Sequence, residues 1–167
     1  MEIRNLTADD LDEFWPLRLR ALREEPASFG ATYEEEAAHD AAIAASRLAS
    51  LSIDRFILGD FDPVLVGVVG FVRETSAKTR HKGVLWGLYV APEARGRGIA
   101  RALSIALLDR AGALPGLEQV NLTVTSANEA ARALYTSLWF TTFGVEHRAL
   151  CVEGRYLDLE YMSRRLQ

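Results

Sequence analysis

At 167 residues, with 49% hydrophobic and 25% charged side chains, the chain has a globular composition and the length of one domain, 1–167. Its net charge of −4 argues against a surface built to hold nucleic acid, and its single cysteine, Cys151, can form neither an internal disulfide nor a zinc site. The opening "MEIRNLTADD" lacks the apolar core of a signal peptide, and the longest apolar run, "VLVGVVGFV" at 64–72, is too short to cross a membrane; a reducing cytoplasm is the expected compartment.

"EIRNL" reads as a first strand, and Thr7 with Asp10 as a capping box in which Asp stands for Glu or Gln. The spacing of Leu11, Trp15, Leu19 and Leu22 predicts a helix over 8–24, kinked or broken at Pro16 and ended by Pro26. A second helix is expected over 33–49, opening on Glu34, Glu35 and Glu36, whose carboxylates suit the positive end of the helix dipole. "DRFILG", the turn "DFDP" and "VLVGVVGFVRE" form a hairpin, and "GVLWGLYVA" is a further strand in which Gly87 marks a bulge or a close approach. After "PEARGRG" come an almost wholly apolar helix, "IARALSIALLDRAGAL", and the strand "QVNLTV". The helix "SANEAARALYTSL" follows, with Ser126 and Glu129 at capping-box spacing and Ala131, Leu134, Tyr135 and Leu138 as its inner stripe. "TFGVEHRALCV" and "RYLDLEYMSRRL" close the chain as a hairpin. The order β-α-α-β-β-β-α-β-α-β-β implies a mixed α/β fold with helices on the faces of one sheet.

The junction "YVAPEARGRGIARAL", 89–103, is where chemistry concentrates. Pro92 stops the strand, Gly96 and Gly98 open backbone shapes closed to other residues, and the helix beyond presents N–H groups without intrahelical partners. Strand, glycine turn and helix N-terminus make a cradle for a phosphate, and Arg95, Arg97 and Arg101 add positive potential. The competing reading is a tight turn with solvated arginines. A P-loop is excluded because no Lys follows the glycines, and a dinucleotide fingerprint because Arg101 takes the place of its third glycine.

Arg95-Gly96-Arg97-Gly98-Ile99-Ala100 resembles the [QR]-x-x-G-x-[GA] signature of the GNAT superfamily of acetyl-CoA-dependent N-acetyltransferases. "NLTVTSANEAARALYTSLWF" resembles that family's second block and "GRYLDLEYMSRRL" its closing strand, so the resemblance runs along nearly the whole chain. It implies a mostly antiparallel mixed sheet, splayed at the strand before the Arg-Gly loop. It also implies coenzyme A pyrophosphate on the backbone of Arg95 to Ala100, and a pantetheine arm along Leu88, Tyr89 and Val90. A backbone N–H near Leu88 would meet the oxyanion. Tyr135 matches the family's general acid; a phenol of pKa about 10 is a plausible donor to a thiolate whose parent thiol lies near 8.5. On its own spacing Tyr135 equally suits the core, and Asn128 equally suits coenzyme contact or helix capping.

The general base stays open among Glu34, Glu35, Glu36, His81 and a water chain, since "VLWGLYV" offers no carboxylate. Phe29, Tyr33, Trp86 and Trp139 are aromatics placed to line an acceptor pocket or to pack the core. Trp139 also departs from the family, which has Gly before the Phe there; a bulky indole would reshape the turn or reach the acceptor. The expectation is direct transfer of acetyl from acetyl-CoA to a primary amine on a small molecule or peptide, without metal, covalent acyl-enzyme or a role for Cys151. A homodimer is compatible with the resemblance. The alternative is a non-catalytic acyl-CoA sensor, whereas an RNA-binding "RGRG" patch conflicts with the acidic charge.

Overall fold

The computed structural model describes residues 2–166. Its strands are β1 (Glu2–Asn5), β2 (Arg55–Phe61), β3 (Leu65–Arg73), β4 (Lys82–Val90), β5 (Gln119–Thr125), β6 (Thr141–Val152) and β7 (Arg155–Arg165). They form one seven-stranded sheet in the order β1-β2-β3-β4-β5-β7-β6. Every neighbouring pair is antiparallel except β4 and β5, which are parallel. The helices are α1 (Leu11–Glu24), α2 (Tyr33–Ala37), α3 (Ala41–Ala49), α4 (Ile99–Gly112) and α5 (Glu129–Ser137). This is the mixed, mostly antiparallel sheet with helices on both faces that the resemblance implies.

Alternation along β2 shows how the strands serve two cores. Phe56 and Leu58 join the α4 side with Phe71, Leu103 and Leu107, while Ile57 joins the α1 side with Phe14, Leu17 and Val68. Each fully buried side chain of this size removes apolar area worth roughly 1.5–3 kcal/mol. Ile99, Leu103, Leu107, Leu108 and Ala111 bury one side of α4, and Arg101 and Ile105 stay exposed on the other.

Several local expectations shift. The helix expected over 8–24 starts at Leu11 after a 3-10 turn at Ala8–Asp10, where the Thr7 N–H donates to Asp10 Oδ2 at 2.7 Å. Pro16 lies in α1 without interrupting it, and the buried stripe is Phe14, Leu17, Ala21 and Leu22 rather than the one containing Leu19. So many leucines and aromatics fill this helix that spacing alone left its phase ambiguous. The second helix is two: α2 ends at Ala37, and Asp40 caps α3 by accepting from Ile43 N–H at 3.0 Å. Asn128, not Ser126, caps α5, accepting from Ala131 N–H at 3.0 Å.

Candidate active site

The parallel pair β4–β5 holds together only at one end. Lys82, Gly83 and Val84 face Gln119, Val120 and Asn121, and no pairing between the two strands continues beyond Val84 among the described residues. On its other edge β4 carries a bulge. Tyr89 pairs with Val68 and Trp86 with Gly70, leaving Gly87 and Leu88 to share the space opposite Val69. Gly87 takes φ +65°, a left-handed conformation that strains other residues, so the bulge forms where the sequence placed it. Between the parted strands lies a narrow gap lined by Ser28, Phe29, Trp86, Leu88, Thr125 and Tyr135.

The gap adjoins a cleft of about 540 Å³, whose walls include Phe29, Leu88, Tyr89, Val90, Arg95, Gly96, Gly98, Ile99, Ala100, Arg101 and Asn128. Gly96 and Gly98 have φ of +76° and +80°, and a side chain at either would point into open space. Backbone conformation, rather than crowding, demands glycine there. The N–H groups of Gly96 through Arg101 find no hydrogen-bond acceptor among the described residues, and Ala102 N–H is the first to bond back, to the Gly98 carbonyl at 3.0 Å. A row of free donors at a helix N-terminus, with room in front, fits a pyrophosphate.

Two of the three arginines have other duties. Arg95 donates to the Val90 carbonyl at 3.0 Å and to Glu25 Oε1 at 3.0 Å, and Arg97 pairs with Asp62. Arg101 lines the cleft and donates to Ser137 Oγ of α5 at 2.7 Å; of the three it is the guanidinium without a carboxylate among the described residues. Ion pairs also lash the loop to α1. Arg20 grips both oxygens of Glu93 at 2.7 and 2.9 Å, and Tyr89 donates its hydroxyl to Glu24 at 2.8 Å. Burial and that bond push the Tyr89 phenol up to about 12, and the bond ties β4 to α1 beside the cleft.

Tyr135 is buried, with its ring edge-on to Phe140 at 5.8 Å between centroids, yet it also lines the gap. The core position is thus observed, and the same side chain reaches the gap. Burial raises its pKa above the ordinary phenol value, holding the proton in place across neutral pH. Asn128 spends its oxygen on the α5 cap, and its amide nitrogen lies 3.4 Å from Ser28 Oγ at the cleft wall.

The aromatics divide. Phe29 borders the cleft, the gap and a neighbouring recess of about 340 Å³. Trp86 lies at the gap with its ring flat against Gly70, where a Cβ would fall 2.3 Å from the indole. Tyr33 stands apart in the recess with Cys151, Glu34 and Glu153, its hydroxyl accepting from Arg23. Trp139 does neither thing expected of it. It adopts φ +65°, keeping the turn a glycine would make, and its indole is 79% exposed beside Asp109, Arg164 and Arg165 at a separate surface pocket.

Among the candidate bases, Glu35 completes the α2 capping box, Glu36 pairs with Arg47 at 2.6 Å, and Glu34 faces the recess. His81 lies at the start of β4, remote from the gap, where its carbonyl accepts from Glu118 N–H at 2.7 Å. Sequence spacing missed two features that only long-range contact reveals: the bond from Arg101 to Ser137, and Ser28 on the cleft wall. It also missed the β6 bulge between Glu146 and Leu150, where Asp158 accepts from Arg148 N–H at 2.9 Å and pairs with His147 at 2.8 Å.

The sequence profile of the acetyltransferase (GNAT) family matches residues 9–140. The chain belongs to the GNAT family of acetyltransferases. A spermidine N(1)-acetyltransferase of Vibrio cholerae is 29% identical over 108 residues, 65% of this chain and 61% of that protein. The chain thus spans less than two thirds of that relative's length. The crystal structure of a ribosomal-protein-alanine N-acetyltransferase from Brucella melitensis superposes with a TM-score of 0.85 at 25% identity, covering 99% of this chain and 100% of that one. A phosphinothricin acetyltransferase from Sinorhizobium meliloti, in complex with AcCoA, has a TM-score of 0.85 at 24% identity, covering 99% and 88%. The strand–loop–helix at 84–112 lies within the residues matched to the GNAT family.

Proposed function

We propose that this GNAT chain, a single cytoplasmic domain, is an N-acetyltransferase that moves acetyl from acetyl-CoA to a primary amine by direct transfer. The observation that carries the reading is the parting of β4 from β5 beside the unbonded N–H row of α4. Acetyl-CoA supplies an acyl group already activated as a thioester. The backbone of Gly96 to Arg101 would hold its pyrophosphate, with Arg101 countering the charge, and the exposed edge of β4 at Leu88 and Tyr89 would pair with its amide arm. A Leu88 N–H in the bulge would stabilise negative charge developing on the carbonyl oxygen. Tyr135, at the gap and held protonated, would hand its proton to the departing sulfur as the amine bonds to carbon. The amine's surplus proton leaves through solvent, or through Glu34 by way of the recess.

Release of free thiol from acetyl-CoA across a panel of amines tests the reading. Amine-dependent turnover is expected. Coenzyme binding without turnover on any amine would favour a sensor instead, and a melting temperature unmoved by millimolar acetyl-CoA would remove both.

A further inference from the structure

Beside Phe29, a residue of the gap wall, α1 carries a charge that no described residue pairs. Among the described residues, Arg4, Arg20, Arg47, Arg73, Arg95, Arg97 and Arg132 meet carboxylates. Arg18 makes no hydrogen bond or ion pair among the described residues, although it is partly buried on α1. Its recorded contact is with the ring of Phe29, whose centroid lies 5.3 Å from the guanidinium carbon. Burial lowers its pKa; the opposing pull comes from Glu36, and Arg47 adds repulsion. Glu36, the carboxylate whose field reaches Arg18, is already engaged by Arg47 at 2.6 Å, which also faces His39. Arg23, further along α1, is spent on the Tyr33 hydroxyl and ring. A guanidinium stays charged in proteins, so partial desolvation without a partner is a standing cost.

The location gives that cost a use. Phe29 is shared by the coenzyme cleft, the gap and the recess, and Leu22, one turn along α1 from Arg18, lines the recess too. Trp15 and Trp86 pack into the same apolar cluster as Phe29. Arg18 therefore stands one aromatic ring away from the gap that Tyr135 and Leu88 face. A planar guanidinium matches a carboxylate through two parallel hydrogen bonds. Resting on the acetyl-transfer reading, we infer that the acceptor is a small amine that also carries a carboxylate, and that Arg18 recognises that carboxylate while the amine enters the gap. A polyamine would instead leave Arg18 unpaired and would have to rely on Glu34 and Glu153 in the outer recess.

The test compares free amino acids, their amides and methyl esters, and polyamines as acceptors in the thiol-release assay. It uses the full chain, Arg18→Met and Arg18→Lys. Expected is turnover of carboxylate-bearing amines, at least tenfold poorer kcat/KM for the matched amides and esters, and a KM for the carboxylate acceptor raised at least tenfold in Arg18→Met. Arg18→Lys should recover part of that loss, and acetyl-CoA affinity should be unchanged in both variants. Preference for polyamines, or equal use of acids and amides with no change in Arg18→Met, overturns the inference and leaves acetyl transfer standing. In the absence of turnover, thermal shift with the same amines and coenzyme A decides. Stabilisation by the acids that Arg18→Met abolishes supports the carboxylate site although the transfer reading has failed, and identical shifts in both proteins overturn it.

Discussion

Gly98→Ala separates the cost of a left-handed backbone from the cost of blocking the cradle. Gly98 has φ +80°, where an L-residue loses about 1 kcal/mol, and a Cβ there would meet no atom within 4 Å. Strain alone should lower the melting temperature by about 2–4 °C for a chain of this length. The added methyl enters the cleft that Gly98 lines, in front of the free N–H row. Losing one hydrogen bond to a charged phosphate, worth about 1.5–3 kcal/mol, should weaken acetyl-CoA about ten- to a hundredfold. Gly154→Ala is the matched control. Gly154 has φ +77°, also with nothing within 4 Å of a Cβ, but it sits in the turn between β6 and β7, away from the cleft. Calorimetric titration of both variants with acetyl-CoA, beside thermal melts, reads the two costs separately. Wild-type affinity in Gly98→Ala, or an equal loss in Gly154→Ala, would refute the cradle.

Three further outcomes follow from named contacts. Tyr135→Phe keeps the buried ring and removes the proton, so thiol release should slow at least tenfold with little change in acetyl-CoA affinity; an undiminished rate would take Tyr135 out of the chemistry. Arg4 and the Thr7 N–H hold Asp10 at about 2 against an ordinary 3.8, a difference worth about 2 kcal/mol. Because the folded value is the lower one, that stability is present above pH 4 and disappears as pH falls towards 2. Asp10→Asn should therefore melt about 4–8 °C lower at pH 7 and lose that deficit in acid; a gap independent of pH would contradict the assignment. Trp139→Gly relieves a left-handed tryptophan whose indole is 79% exposed, so the melting temperature should rise by about 2–4 °C. Turnover should be unaltered, and a change in acceptor KM would place Trp139 at the acceptor after all.

What was legible in the sequence is what short-range rules govern. Gly87 announced the β4 bulge, and Gly96, Gly98 and the apolar run beyond them announced the turn and the helix α4. The split between α2 and α3 was missed because alanines run on either side of a break set by one Asp cap. The partners of the loop arginines lay beyond local reach: Glu25 is 70 residues from Arg95, and Asp62 is 35 from Arg97. Trp139 misled because its size suggested a contact, whereas its backbone simply does what a glycine does there. Arg18 carried no signal at all, since an arginine on an amphipathic helix looks solvated until its neighbours are known to be spoken for.

Amide hydrogen exchange with and without acetyl-CoA tests the central claim most directly. The account predicts protection concentrated at Gly96 to Arg101 and at Leu88 to Val90, where free donors and the parted strand meet the cleft. Protection confined to other segments, such as the surface around Trp139 and Arg165, with residues 88–101 unchanged, would contradict it.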